Sequence, residues 1–294
     1  MSNTWKTRLR TCVQNACVAE VSAVKPGNVS PAHSFANATA DDFVASAKAI
    51  APVIADVSAA TIGQTILQAV AATQRVVDHN TNLGIILLLT PLAAVPEDTL
   101  LEDGIEDVLK QLSVEDAVLT YRAIQRASPG GLGNAETQDV DSQPTIDLRA
   151  CMKLAADRDL IAAQYTNGFH DVLHVGLPLL LQTAKWDGKF QYRAAWLAVR
   201  LLAEFGDSLI ARKCGKDISD EAQNLAQQVV DSGWPHQAGT DPVYMQLDRF
   251  LKLDGNRRNP GTTADMIAAL FFAALRNGHC RFNELTNELM FIHD

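Results

Sequence analysis

Apolar positions recur at helical spacing along nearly the whole chain. From Thr4 to Val24 the set Trp5, Leu9, Val13, Ala16, Cys17 and Ala19 predicts one helix ending at Lys25-Pro26-Gly27. Thr39 followed by Asp41 and Asp42 marks the start of a second, and Ile62, Ile66, Leu67, Val70 and Val77 predict a third within Thr61–Val77. Two amphipathic helices fit between Glu97 and Ser128, the second opening at Ser113 with Glu115 and Asp116 in its first turn. From Thr145 the stretch LRACMKLAADRDLIAAQYTNGF reads as resumed helix, and Tyr192–Phe205, Ser219–Ser232 and Tyr244–Leu253 read as further ones. Sustained alternation and Val/Ile-rich runs between turn signals are missing, so the pattern predicts an all-α fold of about ten to fourteen helices. No fixed repeat length makes it a solenoid, and a single domain over residues 1–294 is expected.

In two places a polar loop feeds a helix that is apolar on almost every side. Asn259-Pro260-Gly261-Thr262-Thr263-Ala264-Asp265 precedes Met266–Leu275, whose all-round apolarity places it in the interior. Pro260 and Gly261 break the chain, Thr262 or Thr263 can cap the helix, and the first-turn amides at its positive end then suit a phosphate or carboxylate. Arg257 and Arg258 lie just upstream, and Asp265 can face a magnesium ion bridging phosphates. A turn plus an N-cap, with no ligand, explains the same residues. Asp78-His79-Asn80-Thr81-Asn82-Leu83-Gly84 likewise precedes IILLLTPLA, and Asn80, Thr81 and Asn82 read either as ligand-facing or as capping residues.

Other polar segments are candidates with equally ordinary alternatives. Glu20 sits near a helix C-terminus, where an acid opposes the dipole unless it faces a cation. The loop after it carries Lys25, Gly27, Asn28 and His33 and can close over a ligand; His33 can equally be a solvent-exposed or backbone-bonded histidine. Ser128–Val140 is the most glycine-dense stretch, with Gly130 and Gly131, yet it is neither GxGxxG nor a P-loop. Arg158 and Asp159 form either a buried or a surface ion pair. In Asp207-Ser208-Leu209-Ile210-Ala211-Arg212-Lys213, Ser208 and Arg212 are four apart on one face and can hold a metal–phosphate group.

Composition narrows the partners. The 294 residues are 47% hydrophobic and 20% charged, an ordinary globular balance, and the net charge of −9 argues against nucleic-acid binding through a basic surface while allowing a local basic pocket. Five scattered cysteines without a CxxC pair suit a reduced, cytoplasmic protein. No secretion-type leader opens the sequence, and the longest apolar run, Leu83–Val95, is too short for a membrane span and is cut by Pro91. Oligomeric state is not legible.

Read together, KPGN at Lys25–Asn28, NTNLG at Asn80–Gly84, the paired Gly130–Gly131, DSLIARKCG at Asp207–Gly215 and NPGTTAD at Asn259–Asp265 come in the order of the motif blocks of the triphosphoribosyl-dephospho-CoA synthase family, which the chain resembles from Glu20 to Phe272. The resemblance implies an all-α enzyme that transfers the triphosphoribosyl group of ATP to the ribose 2′-hydroxyl of dephospho-CoA and releases adenine, with magnesium on the phosphates. It implies phosphate binding by Lys25, Arg212, Lys213 and the Thr262–Thr263 helix end, and metal-binding or sugar-facing, catalytic roles for Glu20, Asp207 and Asp265. Asn28, Asn80, Asn82 and Asn259 are expected to orient the ligand, with Gly27, His33, Thr81, Gly130, Gly131, Ser208 and Gly261 completing the nucleotide site. Two departures stand out: Asn82 replaces the His of the family's NTH-type block, and Leu132-Gly133-Asn134-Ala135-Glu136 replaces an Arg-Gly-Glu. The PGGLGNAETQDV form looks like a divergent branch, found in archaea and in bacteria with methanopterin-linked one-carbon metabolism. An ATP- or phosphoribosyl-dependent enzyme acting on a pterin-type intermediate is therefore a second expectation, and a non-catalytic helical nucleotide-binding protein a third.

Overall fold

A computed structural model describes residues 2–130, 138–186, 189–236 and 239–292. Among them the chain forms fifteen α-helices: α1 Asn3–Ser22, α2 Ala40–Ala55, α3 Ile62–Thr73, α4 Leu83–Ala94, α5 Leu101–Lys110, α6 Val114–Ala127, α7 Leu148–Lys153, α8 Leu160–Asn167, α9 Leu177–Gln182, α10 Phe190–Phe205, α11 Ser208–Cys214, α12 Lys216–Asp231, α13 Asp241–Leu251, α14 Leu253–Asn256 and α15 Gly261–Arg276. The all-α reading holds. The count exceeds the expected ten to fourteen because short turns such as four-residue α14, with left-handed backbone at Asp254 and Gly255, are too brief to show a period. A two-stranded antiparallel hairpin, β1 Cys280–Asn283 with β2 Glu288–Phe291, closes the chain and is too short to register as alternation.

Local sequence explains many boundaries. Thr39 and Asp42 form a reciprocal capping box at the start of α2, as Ser113 and Asp116 do for α6. Asp116 reaches further, accepting the Gly63 amide at 2.7 Å and so tying α6 to α3. The expected continuous helix after Thr145 is broken instead, because Asp159 caps α8 through the Ile161 and Ala162 amides and splits α7 from α8.

Helix α15 is the axis. Every residue from Met266 to Arg276 is buried, and α1, α4 and α10 pack around it. Helix α4 is as apolar, with Leu83 and Ile85–Ala93 all buried. Both lie in one continuous hydrophobic core, so neither can present a wet face; each can offer only its N-terminus to a ligand. Among the described residues no helix is long and apolar enough to cross a membrane.

Candidate active site

The N-termini of α4 and α15 open on one cleft of about 1180 Å³, walled also by the end of α1, the start of α8 and the last turn of α11. Of the residues singled out from sequence, Glu20, Asn28, Asn80, Thr81, Asn82, Gly130, Arg212, Lys213, Asn259, Gly261, Thr262 and Asp265 line it. Segments as far apart as Glu20 and Asp265 thus meet in one place. Gly131 lies outside the described residues.

Six expected site residues do not line the cleft, each for a visible reason. The Lys25 ammonium turns inward, salt-bridged to Glu20 Oε1 at 3.0 Å and donating to the carbonyls of Glu20 and Ala23, so it caps the C-terminus of α1. Gly27 has φ +70° and donates its amide to Asp248 Oδ1; a side chain there would collide with Leu251 and Pro260, so the glycine serves packing. His33 Nε2 meets Asn256 Oδ1 at 3.3 Å and its ring packs edge-on against Phe35, pinning its loop to the residues after α13.

The other three, Asp207, Ser208 and Thr263, belong to a buried polar knot. Asp207 Oδ1 accepts the Leu209 and Ile210 amides at 2.9 and 3.1 Å, capping α11, while Oδ2 accepts the Thr263 amide and hydroxyl at 2.8 and 2.9 Å, capping α15. Ser208 Oγ meets Thr262 Oγ1 at 3.0 Å and accepts the Leu160 amide, adding α8. The threonines therefore do not cap α15 by themselves; a carboxylate 56 residues upstream does. Burial pushes the Asp207 carboxyl above the ordinary range, against the pull of its donors.

Two clusters of charge remain in the cleft. In the first, the carboxylate of Asp265 lies against Gly84 at the head of α4, where an added Cβ would fall 2.6 Å from Asp265 Cγ. No hydrogen bond or ion pair from the described residues reaches that carboxylate. Desolvation, then the neighbouring charges of Glu20, Asp207 and Asp159, hold its pKa well above the ordinary carboxylate range. Glu20 is raised too, chiefly by burial, with Lys25 opposing. The second cluster is basic. Arg212 donates to the Gly130 carbonyl at 3.2 Å and to Asp159 Oδ2 at 3.1 Å, and Lys213 packs beside Gly130. Arg257 joins through the Lys213 carbonyl at 2.8 Å, while Arg258 points elsewhere, onto Asp254 and the Phe250 ring. Burial and Arg212 together lower the Lys213 pKa.

The amides of Gly84, Ile85 and Thr262 have no acceptor among the described residues, so both buried helices still offer donors to the cleft. No group of three His, Cys, Asp or Glu side chains converges as a preformed metal centre among these residues. Sequence reasoning missed Asp159 as the partner of Arg212, although an Asp before LIAA is an N-cap signal, and it passed over His79 and Tyr121, which also line the cleft.

Comparison with known proteins bears on what such a cleft does. Residues 6–283 match the family model for CitG, ATP:dephospho-CoA triphosphoribosyl transferase. A crystal structure from Archaeoglobus fulgidus, whose assignment as a triphosphoribosyl-dephospho-CoA synthase is provisional, superposes with a TM-score of 0.63 at 27% identity, covering 80% of this chain and 99% of that one. No curated protein matches.

Proposed function

The chain belongs to the ATP:dephospho-CoA triphosphoribosyl transferase family and is an ATP-dependent transferase, and from that premise we propose that the cleft moves the triphosphoribosyl group of ATP onto the ribose 2′-hydroxyl of dephospho-CoA, releasing adenine. The observation that carries this reading is the pairing, in one cavity, of a carboxylate at Asp265 without a partner among the described residues with the basic group of Arg212, Lys213 and Arg257.

The chemistry divides accordingly. Arg212, steadied by the Gly130 carbonyl, and Lys213 hold the triphosphate together with the Thr262 amide, which has no acceptor among the described residues. Arg212 arrives already oriented by Asp159, which lowers the entropy lost on binding. Loss of adenine leaves positive charge on the ribose, which Asp265 and Glu20 stabilise from the acidic side. Asp265, with a raised pKa and no hydrogen-bond partner among the described residues, takes the proton of the incoming hydroxyl. Asn28 and Asn259 orient the sugar: the first is held by the Pro260 carbonyl at 3.4 Å and the second lies beside Gly261.

Magnesium bound to phosphates needs only one or two protein carboxylates. The second oxygen of Glu20 accepts no hydrogen bond from the described residues, so Glu20 fits such an ion as its one protein carboxylate; Asp265, which takes the hydroxyl proton, and Asp207, spent on two helix ends, do not. When present, the ion would neutralise phosphate charge.

Calorimetric titration of ATP with and without magnesium, followed by an assay of adenine release with dephospho-CoA, tests the reading. Binding with adenine release only when dephospho-CoA is present supports it. Binding with no release from this acceptor overturns the acceptor assignment, and an absence of nucleotide binding overturns the site.

A further inference from the structure

Beside the main cleft lies a side cavity of about 290 Å³, and the two share the loop residues His79, Asn80 and Asn82. Two buried polar atoms on this loop have no partner among the described residues: His79 Nε2 and Asn82 Nδ2. Both side chains are otherwise fixed. His79 Nδ1 meets Asp78 Oδ1 at 3.0 Å, which sets the ring, and Asn82 Oδ1 accepts the Thr73 hydroxyl at 3.0 Å, which leaves its amide nitrogen as the free end. Asn82 is only 5% exposed, so an unmet donor there is costly unless a ligand meets it.

We infer that this side cavity takes the purine base of ATP, with Asn82 Nδ2 donating to a ring nitrogen and His79 Nε2 delivering the proton on which adenine departs; the inference rests on the transferase reading above. Four features fit a flat neutral heterocycle. The volume suits one base. Val70 and Ala127 supply apolar wall, and Asn80 and Ser128 polar edge. Arg126, on the rim, is held by the Gln74 side chain, its Nε donating to the amide oxygen. Finally, Asn82 is two residues from Gly84, where Asp265 lies, so a base at Asn82 sets its ribose at the acidic cluster.

The step balances. The C1′–N9 bond breaks with its electron pair going to adenine, whose N7 takes a proton from the His79 imidazolium, so that adenine leaves neutral. The acceptor's 2′-oxygen forms the new bond to C1′, and its proton passes to the carboxylate side of the cleft. Solvent then returns a proton to His79.

The test pairs His79→Gln with two substrates: ATP, and a ribose 5-triphosphate carrying 4-nitrophenol in place of adenine, a leaving group that needs no proton. His79→Gln is expected to slow adenine release from ATP by about 10²-fold or more and to process the nitrophenyl substrate at nearly the wild-type rate. Equal losses on both substrates, or no loss on ATP, overturn the proton-donor role. Free adenine, titrated calorimetrically, tests the pocket independently of turnover: wild type should bind it, and Asn82→Ala should bind at least tenfold more weakly. If wild type binds adenine yet releases none from ATP with dephospho-CoA, the transferase reading falls and the base pocket stands. Failure of wild type to bind adenine, or unchanged binding by a folded Asn82→Ala, overturns the pocket.

Discussion

Replacing Asp207 by Asn separates a structural carboxylate from a catalytic one. The variant keeps Oδ1 as acceptor for the Leu209 and Ile210 amides but sets an NH₂ where Oδ2 receives the Thr263 amide at 2.8 Å. The Thr263 hydroxyl can rotate and become the acceptor; the amide cannot. One buried donor is thus left facing another, costing about 1–3 kcal/mol, and the two remaining bonds lose their charge assistance. A total of about 2–4 kcal/mol, at about 2–4 °C per kcal/mol for a domain of this order of size, lowers the melting temperature by about 4–16 °C. Scanning calorimetry measures it, with a urea titration to confirm that the midpoint moves while the slope does not. Below its transition the variant should still bind ATP. A melting temperature unchanged to within about 1 °C, together with abolished ATP binding, would refute the double-cap argument and return Asp207 to the ligand site.

Asp265→Asn should behave in the opposite way. Because its folded pKa is raised, the wild-type carboxyl contributes stability at low pH that is lost as pH rises through the folded value. The amide should therefore melt higher than wild type at neutral pH, and the two should converge in acid, while adenine release falls by about 10²-fold or more; a variant that melts lower at neutral pH contradicts the unpartnered carboxylate. Gly84→Ala drives a methyl into that carboxylate and should cost about 1–3 kcal/mol of stability along with turnover, read by denaturant titration and by adenine release. Lys213→Ala removes a cation with no ion-pair partner among the described residues and should weaken ATP binding by about tenfold with little change in melting temperature, as calorimetry would show. Arg212→Ala should weaken it more and also destabilise the protein, since Asp159 loses its partner.

What could be read from sequence was what neighbours along the chain decide. The capping boxes at Thr39 and Ser113 are complete within four residues, and the all-round apolarity of Met266–Leu275 states burial without reference to anything else. The cleft was legible as a set of polar loops feeding apolar helices, because a buried helix has only its ends to offer. Partnership across the fold was not legible. Nothing near Lys25 says that its ammonium folds back onto Glu20, and nothing near Asp207 says that Thr263 will take its second oxygen. Asp159 was hidden differently, since the apolar order of LAADRDLIAA continues straight through the break it makes.

The polar knot at Asp207 also governs how the protein can open. The Thr263 amide bonds to a buried carboxylate that also caps α11, so it cannot be freed without parting α11 from α15. Its hydrogen exchange should therefore proceed only through global unfolding, unlike that of exposed Asp78 and Asn80 in the loop before α4. The floor of the cleft then cannot loosen ahead of the rest, and on heating, phosphate binding and the native fold should disappear at the same temperature.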